Sequence, residues 1–320
     1  MDKDVVLSLA GNTLANRRTV IAMPSPILGS LRWPNRPEFP DGNACWTYMV
    51  EGSQEQFAVA VGQVENGRPH PFEVWVLANE QPRCLGAVAK TLSADMRTQD
   101  RAWLSLKLEA LESVIGSLSI DQPLGSDRLL ASSNSAAVAR IVKYRLNQLG
   151  VDALEEEEPT PLVDALLPVR AAGHEGTLSW TADIKNPQTG DDFTVFLPEV
   201  ETSNGTHRPV AVRLSGRYPC DLDGLAALLT LDMAVVDVAW IGMKLRKLIN
   251  YNEPMGSFFA KAPGTGATER FPSIVAYLAH LIIHRFATLG LLTSAGRPVV
   301  EMGVMVSVPG DASNVLLFAA

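Results

Sequence analysis

The stretch WIGMKLRKL, residues 240–248, has a near copy earlier in the chain, WLSLKLEAL at residues 103–111. The Trp, the Lys and two of the Leu residues stand at the same offsets in both stretches. An Asp-Met pair precedes each Trp by the same distance, and its Asp is Asp95 in the first copy and Asp232 in the second. Agreement at several ordered positions predicts an internal duplication.

The match continues in order along both halves of the chain. It includes aromatic residues in the strand-like segments, a cysteine before a helix, and a glycine where the last helix of each copy ends. The matched pairs, first copy then second, are Trp46 and Trp180, Phe57 and Phe193, Cys84 and Cys220, and Gly150 and Gly290. A glycine just after the last apolar position is a common helix stop.

Short runs rich in aromatic and β-branched residues open the first copy. Residues 45–50, 56–64 and 71–77 predict three strands of an antiparallel meander. The dipeptide Asn66-Gly67 predicts a hairpin turn between the last two strands.

Helices follow these strands. Apolar residues recur at helical spacing over 84–96, 103–115 and 135–149. We therefore expect an α+β fold of two tandem related domains, each a small antiparallel sheet of about three to four strands packed by about three helices. Related copies commonly pack around a pseudo-two-fold axis, so a groove between them is the expected place for a ligand or partner.

Composition shifts predict where the domains begin and end. The acidic run that leads into Pro159 and Pro161 is typical of a linker. Residues 298–308 alternate weakly and could add a strand to one of the sheets. The predicted division is an N-terminal extension at 1–30, a first repeat at 31–154, a linker at 155–165, a second repeat at 166–295 and a C-terminal tail at 296–320.

Charge and cysteine content narrow the class of protein. The chain of 320 residues carries 27 basic and 35 acidic side chains, and its net charge of -8 argues against a broad contact with duplex nucleic acid. Three cysteines are too few for a disulfide framework, which favours a reducing compartment. We find no signal peptide and no membrane-spanning stretch, so we expect a cytoplasmic protein with no membrane partner.

The unit resembles a known family. Leu85 to Arg97 has the form Leu-Gly-x-x-x-x-x-Leu-Ser-x-x-x-Arg, and a Trp/Leu helix and a segment opening a final helix come after it. This is similar to the TSCPD domain, found at the C-terminus of adenosylcobalamin-dependent (class II) ribonucleotide reductases and in stand-alone relatives. The resemblance implies two degenerate tandem copies and a role in deoxyribonucleotide metabolism or DNA replication.

The residues that name this family differ here. The family's Thr-Ser-Cys-Pro-Asp-Ala-Ile stands as Ser132 to Val138 in the first copy, and the second copy keeps Pro272 with Phe271 in the place of the Cys. Thiol or metal chemistry that depends on that Cys is therefore not implied. The chain also has no room for the reductase barrel, so we expect no ribonucleotide reduction and no cofactor.

Two pairs of residues are candidates for thiol or metal chemistry. Cys84 and Cys220 precede helices, where the helix dipole lowers a thiol pKa, but free cysteines are commonly small buried structural residues, and we favour that interpretation. His280 and His284 lie on one helix face at the spacing of a metal half-site. No third ligand is evident, so histidines on a helix surface or domain seam are the alternative.

Matching carboxylates and two basic clusters complete the candidates. Asp95 and Asp232 could act together in acid–base catalysis, or each could hold a neighbouring element or pair with Arg97, Lys107 or Lys244. Basic side chains on two helices are candidate contacts for a phosphate group, and a charged outer helix face is the alternative. These side chains are Arg140, Lys143 and Arg145 on one helix and Lys244, Arg246 and Lys247 on the other.

Three functions fit this sequence. The first is a non-catalytic accessory or regulatory module acting through protein or nucleotide contacts, with a protein partner or a second copy of the chain as its partner. The second is an enzyme that modifies nucleotides or nucleic acid in the groove, and the third is a structural scaffold. Convergence of the repeated polar residues in an open pocket favours the enzyme, and their burial favours a module or scaffold.

Overall fold

In a computed structural model of the protein, the described residues are 18–24, 26–52, 55–66, 68–116, 119–151, 160–167, 176–201, 205–300 and 303–309. Within these ranges the fold is mixed α+β, with eight helices and several small antiparallel sheets, which confirms the predicted class. Residues 1–17 of the predicted extension, 152–159 of the predicted linker region and the last residues of the tail lie outside the described part.

The first half begins with an antiparallel sheet in the order β2-β3-β4, as the predicted meander requires. Two helices, a β-hairpin and a third helix follow. The elements are β2 (Cys45–Glu51), β3 (Gln56–Asn66), β4 (Arg68–Leu77), α2 (Leu85–Asp95), α3 (Arg101–Glu112), β5 (Ile120–Leu124), β6 (Asp127–Ala131) and α4 (Asn134–Gln148).

The second half repeats this order of sheet, two helices, hairpin and helix. Its sheet runs β7-β8-β10, and the short β9 also pairs with β8. The elements are β7 (Ser179–Asn186), β8 (Asp191–Glu201), β9 (His207–Pro209), β10 (Arg213–Arg217), α6 (Leu222–Ala234), α7 (Val238–Leu248), β11 (Phe258–Lys261), β12 (Thr268–Phe271) and α8 (Ile274–Thr288).

The two sheets share one register at their matched aromatic residues. In each sheet, the Trp of the first strand lies opposite the residue four positions after the matched Phe. Val61 lies opposite Trp46, and Leu197 lies opposite Trp180. Residues that face the same way in the two sheets can therefore be compared one by one.

Four short elements lie outside this common order: β1 (Arg18–Pro24), α1 (Pro26–Gly29), α5 (Pro161–Asp164) and β13 (Gly303–Pro309). The strand predicted at 298–308 exists as β13, but it pairs antiparallel with β1 in a separate two-stranded sheet. The expectation that it adds to one of the larger sheets is therefore wrong.

The edges of the larger sheets explain this difference. The Ser93 hydroxyl accepts the N–H of Val74 in β4 at 2.9 Å and donates to its carbonyl at 3.0 Å. The Thr230 hydroxyl accepts the N–H of Val212, next to β10, at 3.0 Å. Side chains thus take hydrogen bonds that an added strand would need.

The two halves share one core. The main cluster of buried apolar side chains contains Leu92 and Val138 from the first half and Leu229 and Ile282 from the second. Helix α6 packs against both α2 and α3, and α7 also contacts α2. Helices therefore fill the region between the halves where sequence analysis expects an open groove.

Candidate functional site

The two copies of the Trp–Lys stretch meet in the interior and exchange charges. Lys107 Nζ of α3 lies 2.7 Å from Asp232 Oδ1 at the end of α6. Lys244 Nζ of α7 lies 2.6 Å from Asp95 Oδ1 at the end of α2 and 4.0 Å from Asp232 Oδ1. Each lysine thus pairs with the carboxylate of the other half. We call these four side chains the buried charge network.

Hydrogen bonds within each half hold the carboxylates in place. The indole N–H of Trp103 donates to Asp95 Oδ1 at 2.8 Å, and that of Trp240 donates to Asp232 Oδ1 at 2.6 Å. The two indole rings contact each other edge to face, with centroids 6.1 Å apart. The N–H of a buried tryptophan needs a hydrogen-bond partner, and the carboxylate supplies it in each half.

The lysines make a second set of matching contacts across the halves. Lys107 Nζ donates to the backbone carbonyl of Leu228 at 2.6 Å, and Lys244 Nζ donates to that of Thr91 at 3.0 Å. Each ammonium also lies near the tryptophan ring of its own helix, at 4.5 Å for Lys107 and 5.0 Å for Lys244. Both of these contacts in one half therefore have a counterpart in the other.

All four charged side chains are sealed from water, with exposures of 0% or 1%. Burial raises the pKa of Asp95 and lowers the pKa of Lys107, while the opposite charges in the network counter both shifts. Removing such charges from water costs several kcal/mol per ion, so each needs an opposite charge at hydrogen-bond distance. The arrangement can join the halves, but no substrate can reach its carboxylates.

This geometry bears on the two hypotheses for Asp95 and Asp232. They converge, as a catalytic pair requires, but they converge inside the core and not in a pocket. Pairing with Lys107 and Lys244, the structural alternative, is what the described structure contains. The sequence indicates these partners, but it does not indicate that the pairs cross between the halves.

Cys84 is fully buried at the start of α2, with a backbone φ of 69° that is uncommon outside glycine. Its backbone N–H donates to Glu253 Oε1 from the second half at 2.6 Å. Burial, and then the Glu253 carboxylate, raise the pKa of the Cys84 thiol. This is opposite to the lowering expected from the helix dipole, so Cys84 is not an activated nucleophile.

Cys220 has a different environment and is exposed. The residue that caps α6 is Asp221, and Asp221 precedes Asp232 by the same distance as the cap Cys84 precedes Asp95. The predicted equivalence of the two cysteines is therefore wrong by one residue. The structure does not support a symmetric thiol pair, because one member is buried and the other is exposed.

Asp221 lies in a polar cluster that sequence analysis misses. The Asn134 side-chain amide donates to Asp221 Oδ2 at 3.1 Å and to Glu55 Oε2 at 2.8 Å, and Ser135 Oγ donates to Asp221 Oδ1 at 3.4 Å. Burial raises the pKa of Asp221 to about 6, and the neighbouring Glu55 carboxylate adds to this shift. The cluster links α4 of the first half to the start of α6.

The two histidines on α8 each pack against residues of the second half. The ring of His280 lies 5.4 Å from that of Phe271, and burial lowers the pKa of His280. His284 lies against the backbone of Gly264 in the loop between β11 and β12. The described residues contain no cluster of three or more side chains able to hold a metal ion.

The basic cluster on α4 is divided among partners. Lys143 Nζ lies 3.1 Å from Glu112 Oε2, and Arg140 lies 3.8 Å from the other oxygen of that carboxylate. Arg145 is buried, donates to Gln63 at 2.7 Å and covers the ring of Trp46. These three side chains do not form one phosphate-binding surface.

The basic cluster on α7 is divided as well. Lys244 belongs to the buried charge network. Arg246 donates to the backbone carbonyl of Gly296, which fastens the segment after α8. Burial, with Arg97 nearby, lowers the pKa of Lys247 to about 8. The three side chains therefore have separate environments.

A small cavity of about 130 Å³ lies between α3, α4 and the start of β4. Its walls include His70, Arg101, Leu108 and Lys143. Burial, together with Arg32 and Arg101, lowers the pKa of His70 to about 4, so His70 is neutral at pH 7. The cavity is well below the size of a typical ligand pocket.

A comparison with known proteins finds no family model, no curated protein and no solved structure that matches this chain. Among the described helices, none has the length and apolar character needed to cross a lipid bilayer.

Proposed function

We propose that the chain is a non-catalytic accessory module that acts through contacts with another protein. The observation that carries this proposal is the burial of the charge network. The four charged side chains of the network pair across the halves at 0% or 1% exposure, so they join the halves and lie out of contact with solvent.

We also propose that the two halves are tandem copies arranged around a pseudo-two-fold axis. Three observations support this arrangement: the common order of elements, the shared strand register and the reciprocal ion pairs. A two-fold axis brings residue i of one copy to residue j of the other and the reverse, which is the pattern of Asp95 with Lys244 and Asp232 with Lys107.

The link to deoxyribonucleotide or DNA metabolism comes from the resemblance to TSCPD domains alone. A nucleotide- or nucleic-acid-modifying enzyme is the competing function, with Asp95, Asp232, the two histidines or the cysteines as its chemistry.

Native mass spectrometry tests this proposal. The protein is measured alone and after incubation with nucleotides, short nucleic-acid fragments and divalent metal ions, and the Asp232→Asn variant is measured beside it. Asp192→Asn is the matched control, because Asp192 is exposed and pairs with Lys185 on a sheet surface. We expect no specific adduct on either protein. A nucleotide or metal adduct that Asp232→Asn abolishes and Asp192→Asn retains would refute the non-catalytic module.

A further inference from the structure

The outer face of the first sheet carries an exposed apolar stripe. Side chains alternate along a strand, and the core takes one set, including Val59 of β3 and Val76 of β4. The other set projects outward, and Met49, Trp75 and Leu77 are 49%, 48% and 48% exposed. Two buried alanines lie between them on β3, and we define the apolar stripe as Met49, Ala58, Ala60, Trp75 and Leu77.

The matching face of the second sheet is polar at most positions. By the shared register, Met49 corresponds to Asp183, Trp75 to Arg213 and Leu77 to Ser215, and all three of these residues are exposed. Thr194 stands in place of Ala58 and donates to Asp183 at 2.7 Å, whereas the half-buried Phe196 stands in place of Ala60. The fold is therefore compatible with a polar outer face, and the apolar stripe needs another explanation.

Side chains occupy backbone groups at both edges of this sheet. The Gln122 side chain accepts the N–H of Glu51 at 2.7 Å and donates to the carbonyl of Met49 at 2.6 Å at the end of the β2 edge. Ser93 occupies the β4 edge at Val74, and the Gln81 amide donates to the carbonyl of Val76 at 2.6 Å. These bonds disfavour an added strand and favour a partner that lies on the face with its own backbone satisfied internally, as in a helix.

The size of the stripe also favours a helix. Three half-exposed side chains of this kind present roughly 300 Å² of apolar surface. A stable dimer takes about 800 Å² from each partner, so a second copy of the chain would bury too little here. One amphipathic helix of about three turns has an apolar face of comparable size.

The charge at the end of the stripe specifies the flanks of that helix. Glu51 follows Met49 on the same outer face, and Glu80 lies just after β4. A shallow depression of about 520 Å³ lies at this end of the stripe, and Met49, Leu77 and Asn79 help to line it. Lysine or arginine beside the apolar face of a partner helix would complement these carboxylates.

We propose that the apolar stripe is the docking site for an amphipathic helix of a partner protein, with basic residues at the end that lies over Glu51 and Glu80. This proposal rests on the module function and names the class of its partner. Trp75 is the main anchor, because large aromatic side chains contribute most to binding at interfaces.

Selection of binders from a phage-displayed library of amphipathic helices tests the proposal on the full-length protein. The library has a fixed apolar i, i+3, i+4, i+7 pattern and random residues beside it. We expect the selected helices to converge on Lys and Arg near one end. Trp75→Arg and Met49→Asp should each weaken binding by about tenfold or more, the loss typical of an interface anchor. Both substitutions place on the first sheet the residue that the second sheet already carries. Arg213→Ala on the second sheet is the control and should leave binding unchanged.

Three results would overturn the docking site: no helix selected above background, selected helices that bind Trp75→Arg as well as the native protein, or a dimer in sedimentation that Trp75→Arg dissociates. The last result would identify a second copy as the occupant. None of these variants touches the buried charge network, so failure here is distinct from the ligand adduct that would refute the module itself.

Discussion

Replacing Lys107 with Met removes one ammonium group from the buried charge network and keeps a side chain of similar length. The Asp232 carboxylate then loses its contact at 2.7 Å. It retains the Trp240 indole at 2.6 Å and a more distant Lys244 ammonium at 4.0 Å. Breaking a buried ion pair in this way costs about 3–5 kcal/mol, because one charge stays buried without its partner. That is a large part of the roughly 5–15 kcal/mol that stabilises a typical protein.

Removing the second charge of the pair as well should recover most of this lost stability. In Lys107→Met combined with Asp232→Asn, both charges of the pair are absent, and replacing a whole buried pair is often close to neutral. We therefore expect the double variant to be more stable than either single variant, with a coupling energy of about 2–3 kcal/mol. Lys244→Met with Asp95→Asn should behave alike, because the contacts are reciprocal.

Urea unfolding followed by circular dichroism measures these free energies. An exposed ion pair provides the control: Arg128 and Asp121 on the β5–β6 hairpin are 67% and 46% exposed, and removing their charges should leave stability unchanged. Single variants within about 1 kcal/mol of the native protein, the range of surface pairs, would refute the reasoning. Strictly additive losses in the double variants would refute it too.

Three further predictions concern single groups. Asp221→Asn should stabilise the protein at pH 7 by up to about 3 kcal/mol, and this gain should vanish below pH 3.8. The reason is that native Asp221 keeps its proton to about pH 6, so the native protein loses stability as the pH rises from 3.8 through 6. His70→Asn should change the pH dependence of stability in the opposite direction. The pKa of His70 is about 4 in the native protein and 6.5 in its ordinary state, so the native protein loses stability as the pH falls from 6.5 to 4, and the variant should not. Urea midpoints between pH 3.5 and 8 check both, and unchanged slopes would contradict them. A thiol reagent should modify Cys45 and Cys220 in the native protein and reach Cys84 only in denaturant; equal rates for all three would show that Cys84 is accessible.

Local sequence patterns predict the main sheets and helices well. Alternation predicts β2 to β4, and helical spacing predicts α2, α3 and α4 with ends within a few residues. These elements have strong periodicity and clear stop signals, such as Gly150. The repeated Trp–Lys stretch also predicts that α3 and α7 have equivalent roles.

Short strands and contacts between distant parts of the chain cannot be predicted from local sequence patterns. The strands of the β5–β6 hairpin have five residues each, and Pro123 and Gly125, which are typical of turns, hide them in the sequence. Gly125 makes the hairpin turn with a φ of 59°, a conformation that glycine adopts without strain. Cross-pairing of Lys107 with Asp232 depends on how the helices pack, and no local pattern contains that information.

The match of the cysteines fails for a different reason. A single residue type at one position gave the pairing of Cys84 with Cys220, whereas the distance to Asp95 and Asp232 pairs Cys84 with Asp221. Burial then determines the chemistry. The apolar stripe likewise requires knowledge of which face of β2 and β4 points outward, because both faces of these strands contain large apolar residues.

Proton exchange of the network in D2O tests most directly whether it is sealed. The signals to follow by NMR are the ammonium protons of Lys107 and Lys244 and the indole N–H protons of Trp103 and Trp240. We predict that they exchange only through opening close to global unfolding, far more slowly than the indole N–H of Trp75, which is 48% exposed. Exchange as fast as that of Trp75 would contradict the account, because it would show that water reaches Asp95 and Asp232.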